Sequence, residues 1–347
     1  ILVVAIFWVL FFMTGFPERI FGEPEERTVY PGGEISSDLM IVDSVVVLDE
    51  NLTVVGAELH LYRCWIYLVG ERVSIHLCDD AALYLNQSYM VGVGPNCSIL
   101  VYEGSHLGIY NTGLYGSWKG EPRILLLGGS ANISYSILDL SDIHIEDSPG
   151  CWIYGSSLWL DYMGIVSSRN IIFSDTKIYG YIDLLHSSNI VISGSRIRTI
   201  HIGDSYGVVL TDDRISHGLI IDDDRTTIDT LCVSNVSIDG KELVLIKYQD
   251  GLVIEDLDPS HIILAFSSNI RIINAKVVSL RILWSMNVSV SLSNISSLAL
   301  HSSGNISILD SYMVDLHVFN VSGLLVRSAI RSSSITLNRT SHTSILN

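Results

Sequence analysis

The sequence is poor in charged residues, in proline and in cysteine, and it contains a single long hydrophobic run. Charged residues make up 16% of the 347 residues, whereas soluble domains average ~25%. The 37 acidic side chains outnumber the 20 basic ones and give a net charge of −17. This balance excludes a general nucleic-acid-binding surface, and a mean hydropathy of +0.41 excludes disorder as the general state.

The few cysteines exclude a disulfide-rich scaffold. The five cysteines form no C-x-x-C pair and no zinc-type spacing. Cys78 and Cys97 are 19 residues apart (97 minus 78), close to the repeat described below, so we expect either a disulfide between adjacent coils or two buried thiols. No phosphate-binding loop, dinucleotide-binding or zinc-protease motif is present.

The hydrophobic run lies at residues 1–16 and carries no charge. As a helix it would span roughly 24 Å, less than the ~30 Å hydrocarbon core of a bilayer. It is typical of a secretory signal or of part of a membrane anchor, and a buried core helix is the weaker alternative. We therefore expect a signal or anchor helix at 1–22 that meets a membrane, a linker at 23–34, and export of the rest.

Asparagine is concentrated in N-x-S/T sequons. Ten of the sixteen asparagines begin one, whereas chance would give roughly three. The excess predicts an exported glycoprotein.

A repeat of 18 residues is the strongest signal in the sequence. The segments 267–284, 285–302 and 303–320 align without a gap. Position 3 of the repeat is Asn or Gly, which tolerate a left-handed backbone, so we expect a tight turn there. Positions 4, 6, 14 and 16 are apolar, as is a residue near position 11, so each repeat contains short strands with one face inward.

Such segments bury nothing alone, but stacked repeats enclose a continuous core. The pattern resembles the right-handed parallel β-helix repeats of the pectate-lyase-like superfamily, well over residues 130–338 and with weaker register back to about residue 35. We predict an all-β protein with a single right-handed parallel β-helix of ~18-residue coils, irregular at 35–129 and regular at 130–347, preceded by the N-terminal hydrophobic helix.

The repeat divides the sequons into two groups. Asn132, Asn287 and Asn305 occupy the turn position, so we expect their side chains to point inward, bond neighbouring coils and carry no glycan. The better glycan acceptors are Asn51, Asn86, Asn96, Asn235, Asn294, Asn320 and Asn338.

The resemblance implies cleavage of acidic polysaccharides, but the catalytic patterns match poorly. Polygalacturonase-like members use clustered aspartates, a Gly-His-Gly and an Arg-x-Lys. Here TDDRISHG offers Asp212, Asp213 and His217, with Ser216 in place of a glycine and no second motif. We assign no catalytic residue; if the chain is an enzyme, these three and Asp222–Asp224 are its best candidates.

Two polar groups are candidate ligand sites. Asp204, Asp222, Asp223 and Asp224 end adjacent coils, where stacked carboxylates would repel unless a cation such as Ca²⁺ lies between them; the alternative is a solvated acidic turn. Position 15 faces outward and is predicted to form either a metal or proton-transfer site or an ordinary polar face. Its members are His144, Asp183, His201, Arg281 and His317.

Aromatic and apolar residues on outward positions indicate a contact surface. Trp152, Tyr154 and Trp159 are expected to be exposed as sugar platforms or interface anchors. Position 5 forms an apolar stripe that a loop, the N-terminal segment or another subunit would cover. The stripe runs through Trp152, Ile172, Val191 and Val209.

The sequence therefore favours a non-enzymatic extracellular glycoprotein, anchored or secreted, with a structural, adhesive or assembly role in a surface layer or filament. Its composition resembles archaeal cell-surface proteins. The alternatives are a polysaccharide lyase or glycoside hydrolase and a non-catalytic glycan binder. Expected partners are a second copy, another surface protein or a polysaccharide, and Ca²⁺ is the one cofactor considered.

Overall fold

The structure is a computed structural model that describes residues 26–30, 32–70, 72–92, 96–116 and 123–346. The hydrophobic segment 1–22 and its predicted helix lie outside the described residues. Among the residues that are described, no helix is both long enough and apolar enough to cross a membrane.

The fold of the described residues is the predicted one, an all-β, right-handed parallel β-helix of about 16 turns with almost no α-helix. The chain divides into two compact units, residues 1–142 and 143–347. We call one turn of the solenoid a coil, and residues at the same place in successive coils a column.

Where unit 1 is described, it consists of short strands. They are β1 (Glu26–Tyr30), β2 (Gly33–Ile35), β3 (Leu39–Val42), β4 (Ser44–Leu48), β5 (Leu52–Val55), β6 (Glu58–Tyr62), β7 (Trp65–Leu68), β8 (Ser74–Cys78), β9 (Ala82–Asn86), β10 (Tyr89–Gly92), β11 (Ser98–Tyr102), β12 (His106–Tyr110), β13 (Gly113–Gly116), β14 (Arg123–Leu127), β15 (Ser130–Ser134) and β16 (Ile137–Asp139).

The described part of unit 2 contains strands of 2 to 17 residues and one short helix. Its first strand, β17 (Asp142–Glu146), begins at the boundary. The others are β18 (Cys151–Tyr154), β19 (Ser157–Trp159), β20 (Tyr162–Val166), β21 (Arg169–Ser174), β22 (Lys177–Leu185), β23 (Ser188–Ser193), β24 (Arg196–Gly203), β25 (Tyr206–Thr211), β26 (Arg214–Ile221), α1 (Arg225–Thr230), β27 (Cys232–Ser234), β28 (Ser237–Ile238), β29 (Lys241–Lys247), β30 (Val253–Glu255), β31 (His261–Ala265), β32 (Arg271–Ile273), β33 (Lys276–Leu283), β34 (Ser289–Ser291), β35 (Asn294–His301), β36 (Gly304–Phe319), β37 (Ser322–Asn338) and β38 (Ser344–Leu346).

The strand registers give the coil length directly. In unit 2, Ile272 pairs with Val290 and Val290 with Ile308, the predicted spacing of 18. In unit 1 the spacing is not uniform: Leu39 pairs with Leu59 at a distance of 20 residues, and Leu59 pairs with Leu83 at a distance of 24.

The longer coil of unit 1 places Cys78 and Cys97 in different columns. At a spacing of 24, Ser98 stacks on Ser74, so Cys97 follows the column of Val73 rather than that of Cys78. Cys97 is buried, Cys78 is partly exposed, and both thiols are free. Of the two alternatives, the disulfide is not formed, because the coil here is longer than the spacing of 18 on which it was based; the alternative of two buried thiols holds for Cys97 alone.

The inward columns form the core as predicted. Positions 4, 6, 14 and 16 of the regular coils are buried, for example Ile270, Ile272, Leu280 and Ile282 at 0% exposure. The predicted left-handed turn is present at Asn269, Asn287 and Asn305, but Asn132 and Gly150 are not in that conformation. Left-handed residues also stand at two further corners, which the sequence analysis missed; in the coil 267–284 these are Asn274 and Trp284.

Buried hydroxyl groups connect the coils, a feature that the apolar pattern does not reveal. The amide N–H of Ser267 donates to Oγ of Ser285 at 3.2 Å, and that of Ser285 donates to Oγ of Ser303 at 3.1 Å. Ser88 and Thr112 form the same link in unit 1. We call these columns hydroxyl ladders; they satisfy backbone donors at the corners, where no strand partner is available.

The regular stacking of unit 2 is interrupted after β26. There α1 replaces a turn, and β28 pairs with β29 as an antiparallel hairpin. At the C-terminal end of α1, Nζ of Lys247 donates hydrogen bonds to the carbonyl oxygens of Asp229 (2.6 Å) and Leu231 (2.7 Å). This insertion lies beside the polar side chains described next.

Candidate functional site

A hydrogen-bonded group of polar side chains lies on the outer face of unit 2, next to the insertion. Gly164, Asp183 and His201 occupy one column of β20, β22 and β24. Nδ1 of His201 lies 2.8 Å from Oδ1 of Asp183, and its Nε2 lies 3.1 Å from Oδ1 of Asp222. The hydroxyl of Tyr162 donates to the other oxygen of Asp183 at 3.1 Å. We call Tyr162, Asp183, His201 and Asp222 the His201 cluster.

The His201 cluster is half-buried, and this shapes its electrostatics. The side chains of His201 and Asp183 are 19% and 16% exposed. Burial acts to lower the pKa of His201, but the hydrogen bonds to Asp222 and Asp183 outweigh it, so the pKa is raised. Burial also raises the pKa of Tyr181, with a smaller contribution from the two carboxylates. The arrangement can hold a proton between two carboxylates.

A second charged group ties the start of the insertion to later coils. Arg281 forms an ion pair with Asp223 and donates to the carbonyl oxygen of Ile221. Nδ1 of His301 lies 3.6 Å from the same carboxylate. Asp224 caps α1 by accepting the N–H of Thr227 at 2.7 Å.

The four aspartates of the predicted cation site therefore have separate partners. Asp222 faces His201, Asp223 faces Arg281, Asp224 caps the helix, and Asp204 lies 3.8 Å from His186. Over the described ranges, no three His, Cys, Asp or Glu side chains are grouped to hold a metal ion. The Ca²⁺ hypothesis stays a prediction, without a formed set of ligands to support it.

The position-15 residues are only partly brought together. Asp183 and His201 are neighbours, but Arg281 and His317 are separated by Ala299. His144 instead lies against Gly164 and 3.5 Å from Glu146.

The candidate enzyme residues on TDDRISHG are dispersed. Asp213 is 1% exposed and accepts the N–H groups of Ser195 (2.8 Å) and Thr211 (2.9 Å). It therefore occupies a hydroxyl ladder in the core. Asp212 accepts from Asn235 at the surface, and His217 is exposed beside Ser216. These side chains do not form a common site.

Burial raises the pKa of Asp213 to about 6, although its two backbone hydrogen bonds oppose the shift. In the interior this carboxylate has a structural role as a ladder rung. The sequence analysis missed that role because an Asp at the ladder position looks like any other acidic turn residue.

The predicted aromatic platform is exposed but divided between two strands. Trp152 (56%) and Tyr154 (41%) lie on β18, and Trp159 (48%) lies on β19. Trp159 stacks on Tyr179 with ring centroids 4.0 Å apart. The apolar stripe forms as a column, since Trp152, Ile172, Val191 and Val209 pair in register, and all but Trp152 are half-buried.

The sequon asparagines are exposed with one exception. Asn86 is half-buried, and its Oδ1 is enclosed without a hydrogen-bond partner. The expectation that Asn132, Asn287 and Asn305 point inward was wrong, because all three are exposed. Asn305 donates to Asn287, and Asn287 to Asn269, each at 3.0 Å. The predicted bonds between coils thus exist for this ladder, on the outside of the turn.

A scan against protein-family models gives no match, and a search of curated proteins gives none. Among solved structures, a double mutant of the periplasmic alginate epimerase AlgG is 13% identical with a TM-score of 0.26, covering 96% of this chain and 88% of that chain. A mutant of the PL6 family alginate lyase AlyGC is 9% identical with a TM-score of 0.20, covering 94% and 88%.

Proposed function

We propose that this chain is a non-enzymatic extracellular glycoprotein with a structural or adhesive role at a cell surface. The observation that carries the proposal is the placement of the sequons. Nine of the ten sequon asparagines, all but Asn86, are exposed. An excess of sequons whose asparagines are exposed to solvent is typical of an exported, glycosylated chain.

The packing supports a structural role. The hydroxyl ladders and the Asn269–Asn287–Asn305 ladder use polar side chains to join one coil to the next. Asp213, the most buried of the candidate acids, serves the same purpose. The hydrogen bonds of these residues hold adjacent coils in register.

The test is peptide mapping of the protein isolated from its native cells, before and after removal of glycans. We expect glycan mass on the exposed acceptors, with Asn86 the least occupied of the seven because its amide is partly enclosed. The amide nitrogens of Asn287 and Asn305 bond the adjacent coil in the turn column, so these two are expected to be unmodified. Asn235 and Asn320 also donate to the adjacent coil, so we expect them to be glycosylated only in part. Unmodified peptides at all ten sequons would contradict the proposal.

A second candidate function is polysaccharide cleavage, and the His201 cluster favours it. A histidine held between two carboxylates can serve in proton transfer. The variants D183N and D222N would each abolish such an activity, whereas H317Q, at an exposed position of the same face, would not. Activity retained in both Asp variants would exclude this site.

A further inference from the structure

Three cationic side chains stand directly above one another on unit 2 of this acidic protein. Lys177 pairs with Arg196 and Arg196 with Arg214, on β22, β24 and β26. All three are exposed. We call them the basic column. Adjacent strands are ~4.8 Å apart, and like charges directly opposite one another destabilise a sheet.

No carboxylate of the described residues forms an ion pair with the basic column. In the part of the chain that the structure describes, none of Lys177, Arg196 and Arg214 forms an ion pair or a side-chain hydrogen bond. Asp175 and Asp212 stand two residues before Lys177 and Arg214, but their carboxylates lie in the turn column. The first lies against Gly194, and the second accepts from Asn235 at 2.6 Å.

The basic column is bounded and has an aromatic neighbour. The same column continues as Ser157 on one side and Ser237 on the other. The next outward column begins with the stacked rings of Trp159 and Tyr179. We call this stacked pair of rings the Trp159–Tyr179 shelf. On β24, Arg198 follows Ile197, the partner of Ile178, and is exposed; among the described residues it forms no ion pair. Exposed aromatic rings beside a row of cations can bind sugar rings and the anionic groups that they carry.

We propose that the basic column, with Arg198 and the Trp159–Tyr179 shelf, binds an anionic glycan laid across β19, β22, β24 and β26. The anionic groups of the glycan are sulfates or carboxylates, and one of them would lie against each cationic side chain of the basic column. Guanidinium groups recognise both by paired hydrogen bonds. The site goes beyond the structural role proposed above and does not depend on glycosylation of the chain itself.

The test compares dextran sulfate, carboxymethyl dextran and neutral dextran of equal length in titration calorimetry with the whole chain. We expect one or both charged polymers to bind, more weakly at high salt, and the neutral polymer not to bind. The variant R196Q/R214Q should weaken binding about tenfold or more, since two charge-assisted contacts are lost. Its matched control is R271Q/K276Q, which removes the same charge from exposed positions outside the site and should change binding less than about twofold.

Thermal unfolding without glycan separates this proposal from a structural role of the arginines. R196Q/R214Q should be at least as stable as the unmodified chain, because repulsion in the column is relieved. Equal loss of binding in both double variants would overturn the proposal, as would absence of binding to either charged dextran. Tighter binding to a single-stranded oligonucleotide than to dextran sulfate would overturn the choice of a glycan, and charge-dependent self-association through these arginines would assign the surface to a second copy.

Discussion

At the scale of single residues, Asp213 shows how a buried group controls stability. Its pKa is raised from 3.8 to about 6 by burial, so the folded chain holds the proton more tightly than the unfolded chain. Stability from this group is therefore full below about pH 4 and is lost as the pH rises through about 6.

We expect D213N to remove this pH dependence, because its amide does not ionise. The free energy of unfolding relative to D213N should fall by about 1–3 kcal/mol for the unmodified chain between pH 4 and pH 6.5. Urea unfolding across that range measures it, and D212N at the neighbouring surface position is the control. A parallel pH profile for D213N and the unmodified chain would show that Asp213 is not buried as a titrating group.

His201 gives the second residue-scale prediction. Its raised pKa means that the stabilisation by Asp183 and Asp222 is fully present below the ordinary pKa of histidine and is lost as the pH rises through the raised value. H201Q should therefore lower stability by about 1–2 kcal/mol at pH 6 and by less at pH 9. H317Q is the exposed control. An H201Q deficit that grows with pH would contradict the bridge between the two carboxylates.

At the scale of elements, the hydroxyl ladders explain why serine recurs at the start of each regular coil. Ser285 is 0% exposed; it accepts the N–H of Ser267 and donates to the carbonyl oxygen of Leu283 at 2.9 Å. S285A leaves a buried donor unsatisfied and should cost about 1–3 kcal/mol.

Thermal or urea unfolding measures the loss in S285A. S285T should restore most of it, because threonine already serves as a rung at Thr112 and Thr176. S289A, at a half-buried serine in β34, should change stability by less than about 0.5 kcal/mol. Equal effects of S285A and S289A would show that the ladder bond adds nothing.

The strands were predictable at this scale because their signal is local. Alternating apolar residues such as Ile270 and Ile272 place one face inward, and Asn269 marks the turn before them. The insertion after β26 was not predictable. Its course depends on contacts between residues far apart in sequence, such as Arg281 with Ile221 and Asp223.

The site was harder to predict than the fold for the same reason. Asp183 and His201 stand out only once the register places them in adjacent strands, although their shared position 15 was a usable signal. Asp222 joins them from a turn, which position in the repeat does not show. The basic column was also visible as Lys177, Arg196 and Arg214 at equivalent positions, but its lack of counter-ions is a property of the folded chain.

At the scale of the whole molecule, the acidic, sequon-rich composition and the small basic surface of unit 2 both favour a role at a cell surface. The chain has a net charge of −17 and ten sequons. Four of its twenty basic residues are exposed on β22, β24 and β26 and form no ion pair with the described residues. A protein of this kind would be repelled by most anionic surfaces and attach to an anionic glycan through one defined face.

The most direct test of the central claim, a non-enzymatic structural or adhesive role at a cell surface, is electron cryo-tomography of the native envelope with the chain labelled. The account predicts labelled copies on the outer surface, in ordered sheets or filaments or bound along the surface glycan. Copies confined to the cytoplasm, or released singly into the medium with no association with the envelope, would contradict it.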